Sequence, residues 1–72
     1  MADGIVKFFH AERGWGAIAS PELPSGFDAW VHLREIEGTG FRSLEAGDRV
    51  TFDYEAAQQD SFRFRALRVR KR

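Results

Sequence analysis

Cysteine is absent from this 72-residue chain. Its absence excludes a disulfide framework and any thiolate zinc site, and it fits a reducing compartment. Only two histidines are present, so no metal-ligand spacing arises and no metal is expected. No apolar run approaches the ~20 residues of a membrane span. The start, Met1-Ala2-Asp3-Gly4, carries an early acid and no apolar targeting stretch. A cytoplasmic protein without a membrane partner is expected. Sustained helical spacing is missing, and so is any internal repeat. The two prolines both fall in Ser20-Pro21-Glu22-Leu23-Pro24-Ser25-Gly26, beside a glycine and two serines, which marks a loop.

Signals of catalysis are equally thin. No Ser/His/Asp arrangement is apparent. Gly14-Trp15-Gly16 is not a dinucleotide fingerprint, because neither a third glycine nor a helix follows it. The acids are spread over loops, a pattern that serves solubility better than acid–base work. The expectation is a protein that is not an enzyme and needs no cofactor.

What the chain does have is a divided charge. The formal net charge is zero, yet residues 1–60 carry five basic and eleven acidic side chains, while residues 61–72 carry six basic side chains and no acid. A sequence pI near 6.7 argues mildly against a nucleic-acid binder. Local charge governs encounter and phosphate contact, however, and the chain ends in a basic stretch from about residue 68. That stretch reads as a flexible charged end able to add sequence-blind phosphate attraction.

Aromatic and β-branched residues set out strands. Residues 4–10 read as the first, with Val6 inward and Lys7 outward. Phe8 and Phe9 are adjacent, so a bulge or strong twist is needed to keep Phe8 on the face of Lys7. Ala11-Glu12-Arg13-Gly14 is a turn in which Gly14 takes positive φ. Residues 15–19 form the second strand, and residues 27 or 28 to 33 the third. Leu33-Arg34-Glu35-Ile36 fits one turn of 3₁₀ helix that sends Ile36 inward. Val50, Phe52 and Tyr54 alternate with Arg49, Thr51 and Asp53 in a half-buried fourth strand. Residues 55–61 look polar and turn-like. In the last strand, from Phe62, the apolar phase slips by one, and a bulge near Ala66 would reconcile its two halves. The fold class is therefore all-β, a small closed barrel of five short antiparallel strands, since closure removes exposed sheet edges. One domain of this size has a limited core and marginal stability.

Two stretches stand out. In Arg13-Gly14-Trp15-Gly16-Ala17-Ile18, side-chain alternation puts Trp15 and Ala17 on one face and Gly14, Gly16 and Ile18 on the other. In Ala29-Trp30-Val31-His32-Leu33, Trp30 and His32 share a face opposite Ala29, Val31 and Leu33. Two outward indoles beside Lys7, Arg13 and His32 make a surface suited to stacking bases, so the domain is read as a binder of single-stranded nucleic acid.

These stretches resemble the two ribonucleoprotein motifs of the cold-shock domain, the small bacterial cold-shock protein family. The first is similar to K-G-F-G-F-I. The second, Asp28-Ala29-Trp30-Val31-His32-Leu33, is similar to D-V-F-V-H-F. Glu37-Gly38-Thr39-Gly40-Phe41-Arg42-Ser43-Leu44-Glu45-Ala46-Gly47 resembles the loop before the family's fourth strand. The resemblance runs from Gly4 to about Val69 and implies a single domain over residues 1–72. It implies a five-stranded OB-type barrel that binds single-stranded RNA and DNA with little sequence preference, as an RNA chaperone or transcription antiterminator, and by default as a monomer. It places stacking aromatics at Phe8, Trp15, Trp30 and Phe41, the partner histidine at His32, and basic contacts at Lys7 and Arg13. His10, where the family usually has asparagine, joins them as a candidate. Ala17 and Leu33 stand where the family has aromatics, and Arg63-Phe64-Arg65-Ala66 replaces its G-P-Q-A segment. Phe62 and Phe64 are new, and the sequence does not assign which of them packs under the barrel and which extends the surface. Two other readings remain open: a barrel repurposed as a protein-interaction module, and a duplex or nucleoid DNA binder acting through the basic end.

Overall fold

The structure is a computed structural model that describes residues 1–24, 26–38 and 43–72. Five strands form it: β1 (Ala2–His10), β2 (Trp15–Ala19), β3 (Ala29–His32), β4 (Arg49–Gln59) and β5 (Phe62–Lys71). They close in the order β1-β2-β3-β5-β4. All neighbouring pairs are antiparallel except β3 with β5, which run parallel. The expected all-β, five-stranded barrel is thus present, with one parallel seam. A 3₁₀ turn, Leu33–Glu35, follows β3 and delivers Ile36 to the core.

The inward side of each strand is apolar. Val6, Ile18, Val31, Val50, Phe52, Ala66 and Val69 are all essentially inaccessible to solvent. They fill the barrel as side chains from alternate strand positions do in any small barrel. Gly14, at φ +78°, turns β1 into β2, and the His10 carbonyl accepts from the Arg13 and Gly14 amides. Leu33 packs against the core, and its amide donates to the Gly14 carbonyl.

The register shifts at three places among the described strands, one of them between Ala56 and Gln59 near the β4–β5 turn; the other two shape the barrel. In β1 the register steps from Val6↔Ile18 to Phe8↔Ala17, so Lys7 is the extra residue. That is the device expected from the adjacent phenylalanines: it leaves Lys7 and Phe8 on one face and lets Phe9 pack on the core. The second differs in place from the sequence expectation. Thr51 pairs with Arg70 and Asp53 with Leu67, so β5 carries its extra residue next to Arg68, at φ +50°, and not at Ala66. This lets Ala66 and Val69, three apart, both face inward. The Arg68 amide donates to Glu35 Oε1 and its Nε to Asp53 Oδ2, which holds the left-handed residue in place.

Three further expectations change. The polar residues 55–61 do not form a loop. β4 continues through them to Gln59, and only Asp60 and Ser61 turn the chain. Tyr54 is exposed, because the core ends at Phe52. The basic end is not free: it is the second half of β5, and its cations lie against carboxylates, Arg68 on Asp53, Arg70 on Glu37, Lys71 on Asp48 and Arg72 on Asp3. The split charge of the sequence is therefore largely cancelled in space. Exposed pairs of this kind contribute little each.

The hydrogen bond from Arg68, helped by the N-terminal amine, holds the Asp53 carboxyl below the usual carboxylate range. A carboxyl that titrates lower when folded than when unfolded adds stability that is complete above its unfolded value. That stability is lost as pH falls through the folded value. Thermal melts at stepped acidic pH should show a shallower acid-side loss in Asp53→Asn than in the parent. Equal slopes would mean that the pair contributes nothing.

Candidate nucleic-acid interface

Strand pairing assembles the outer face row by row. Phe8 pairs with Ala17, Ala17 with Trp30, and Trp30 with Arg65 across four strands. One step on, His10 pairs with Trp15 and Trp15 with His32. The two rows set six aromatic or basic side chains around one alanine. Ala17 is 0% exposed yet is no member of the core cluster. It forms the floor of an aromatic layer lying outside the barrel.

Within that layer Trp15 meets its neighbours edge to face, and the other rings meet at a tilt. Trp15 lies 5.6 Å from Phe8 and 5.3 Å from His10, at interplanar angles of 81° and 73°. Phe8 and His10 are 5.0 Å apart. Trp30 and His32 form a second group at 5.7 Å. Such contacts pin the ring planes and keep part of each face free, which limits the entropy lost when a planar ligand docks. Phe8, His10, Trp15, Trp30 and His32 are all half-buried. The expected outward placement of both indoles is what the barrel displays.

His32 is oriented by the backbone. Its Nδ1 accepts from the Arg34 amide at 3.0 Å. In the neutral ring this leaves the proton on Nε2, so His32 offers a donor to its surroundings. Beside Trp30 and His32 opens a hollow of about 370 Å³, lined also by Arg34, Glu35, Gln59 and Arg65. Arg65 is committed to the Glu55 carboxylate.

The basic candidates differ. Arg13 is exposed on the β1–β2 turn and has no carboxylate partner among the described residues. Lys7, also exposed, is already held by Asp28 at 2.9 Å. A phosphate approaching Lys7 competes with that carboxylate. Phe41 lies outside the described residues. Leu33 is turned to the core by the 3₁₀ turn, so the layer has no ring from that position.

The barrel resolves the choice between Phe62 and Phe64. Phe64 packs on the core and on Tyr54. Phe62 joins the outer layer, 6.3 Å from Trp15 at 77°. No local pattern could reveal this, because both residues have the same parity along β5 and only ring packing separates them.

Comparison with known proteins bears on the same face. Residues 2–71 match the model of the family described as the 'Cold-shock' DNA-binding domain. The chain is 42% identical over 59 residues to the major cold shock protein of Streptococcus pyogenes serotype M6, covering 82% of this chain and 84% of that one. It is 53% identical over 53 residues to the probable cold shock protein A of Mycobacterium tuberculosis, covering 74% and 76% of the two chains. Against cold shock protein CspC of Bacillus subtilis the identity is 46% over 55 residues, with 76% and 79% covered. With a closed five-stranded barrel, an aromatic outer layer and a match over nearly its whole length, the chain belongs to the cold-shock DNA-binding domain family, a family of nucleic-acid-binding proteins.

Proposed function

We propose that this single-domain protein binds single-stranded RNA and DNA with low sequence specificity on the outer aromatic layer, acting as a monomeric RNA chaperone or transcription antiterminator without catalysis. The observation that carries the reading is the double row of rings, with both indoles on the outside of a closed barrel. Successive bases stack on Phe8, Trp15 and Trp30, and Phe41 supplies a further platform. His10 and His32 contact base edges. Arg13, and Lys7 after exchanging Asp28, hold phosphates. Because the site takes unpaired bases only, it melts weak RNA structure by mass action and needs no ATP.

The ion-paired β5 argues against a duplex binder driven by its basic end. This gives a measurable difference. Binding to single strands changes with salt by about −0.7 per phosphate neutralised on a log–log plot. Two phosphate contacts therefore predict a slope of about −1 to −2. Engagement of all six cations of residues 61–72 on duplex DNA would give about −5. Tryptophan fluorescence titrated at several salt concentrations should show strong quenching by single strands that survives in part at high salt. A steep salt dependence with equal affinity for duplex would overturn the reading, and so would an absence of quenching by any nucleic acid.

A further inference from the structure

The β4–β5 turn brings a second set of groups to the edge of the aromatic layer. Phe62 stands edge-on to Trp15 and also lines a cleft of about 220 Å³ shared with Phe27, Asp28 and Arg63. The Arg63 guanidinium lies 5.3 Å from the centre of the Phe27 ring. Among the described residues Arg63 has no carboxylate partner, in contrast to Arg65, Arg68, Arg70, Lys71 and Arg72 on the same strand and its end. The acid of the cleft, Asp28, is neutralised by Lys7. A cation held over an aromatic face is weakly hydrated and keeps its outward donors.

We propose that this cleft is an added nucleotide subsite, in which Phe62 stacks one further base of the strand and Arg63, braced on Phe27, holds its phosphate. The inference rests on the reading of the aromatic layer as a single-strand interface and extends it past Trp15. Continuity selects the occupant: the ring of Phe62 stands 6.3 Å from that of Trp15, so the cleft adjoins the surface on which the strand is stacked. The charge of the free protein agrees: Arg63 is an uncommitted cation of the cleft among the described residues, and Asp28, its one acid, is paired with Lys7. The Phe62 ring also enlarges an aromatic layer that lacks rings at positions 17 and 33.

The test is the dependence of affinity on strand length. Dissociation constants are measured by tryptophan quenching for oligothymidylates of increasing length, with the parent, Phe62→Leu and Arg63→Gln. Phe62→Leu keeps an apolar side chain and removes the stacking face. Arg63 is exposed, so its replacement leaves the fold in place, and thermal melts check both variants. The shortest strand bound sets the baseline for each protein. In the parent, lengthening should bring a stepwise gain of about tenfold as the subsite fills. Phe62→Leu should lose most of that step, and Arg63→Gln should lose part of it together with some salt dependence. The same length gain in both variants as in the parent would overturn the subsite while leaving the main interface intact. A loss confined to the baseline would also overturn it, by making Phe62 a support for Trp15. A parent that binds no strand of any length would overturn the interface itself.

Discussion

Replacing Trp30 by alanine should lower single-strand affinity about tenfold to a hundredfold while the barrel keeps its melting temperature within a few degrees. A stacked base is worth about 1–3 kcal/mol, and each 1.4 kcal/mol is tenfold in affinity. Trp30 is the cleaner of the two indoles to remove, because among the described residues its one ring neighbour is His32. Trp15 meets Phe8, His10 and Phe62. Trp15→Ala should therefore cost more affinity, since it removes a platform and also frees three rings that it pins. The two indoles engage one bound strand, and a shared partner couples their losses, so the double variant should fall short of the product of the two losses. Trp15→Phe keeps a stacking face and should restore most of the affinity. Equilibrium titration with a short oligothymidylate, alongside thermal melts, checks each outcome. Unchanged affinity in both alanine variants would remove the aromatic layer from the account.

The second large effect lies directly beneath that layer. Gly16 pairs with Phe9 behind the Trp15–His10 row. A Cβ placed on Gly16 would sit 2.3 Å from the Phe8 carbonyl oxygen, 2.7 Å from Phe9 Cδ1 and 2.8 Å from Phe9 Cα. Two of those atoms are backbone, so no rotamer change relieves the clash and β1 must part from β2. Overpacking costs typically 1–3 kcal/mol and sometimes more, and a domain this small holds only about 3–5 kcal/mol from its core. Gly16→Ala should thus lower the melting temperature by about 10–20 °C, at roughly 4–8 °C per kcal/mol. The same shift should misplace Phe8 and Trp15 and weaken binding in the fraction still folded. Gly14→Ala is the instructive comparison. There the nearest atom to a new Cβ is 3.8 Å away, so only the positive φ of +78° is strained. That variant should lose about 1–2 kcal/mol and keep its interface. Equal losses at the two glycines would show that the close approach at Gly16 relaxes freely.

Alternation was enough to place Trp15, Ala17, Trp30 and His32 on one side of their strands, because side-chain parity is a local property of extended chain. The same parity demanded the β1 bulge: Lys7 and Phe8 can share the outer face, with Val6 and Phe9 both inward, only if one residue is extra. The 3₁₀ turn and the inward Ile36 were legible from four consecutive residues. What sequence could not settle depends on partners distant along the chain. The bulge at Arg68 is held by Glu35 and Asp53, from two other elements. β4 runs on through polar residues because β5 supplies the hydrogen bonds there, so composition misled. The basic end, conspicuous as a block of charge, is spent on carboxylates from β4 and three loop or strand ends that only closure brings alongside. Phe62 and Phe64, alike in residue type and parity, part company because one meets the core and the other meets Trp15. Parity along a strand is written in neighbouring residues; which ring or charge waits across the barrel is decided by closure, which joins positions far apart in the chain.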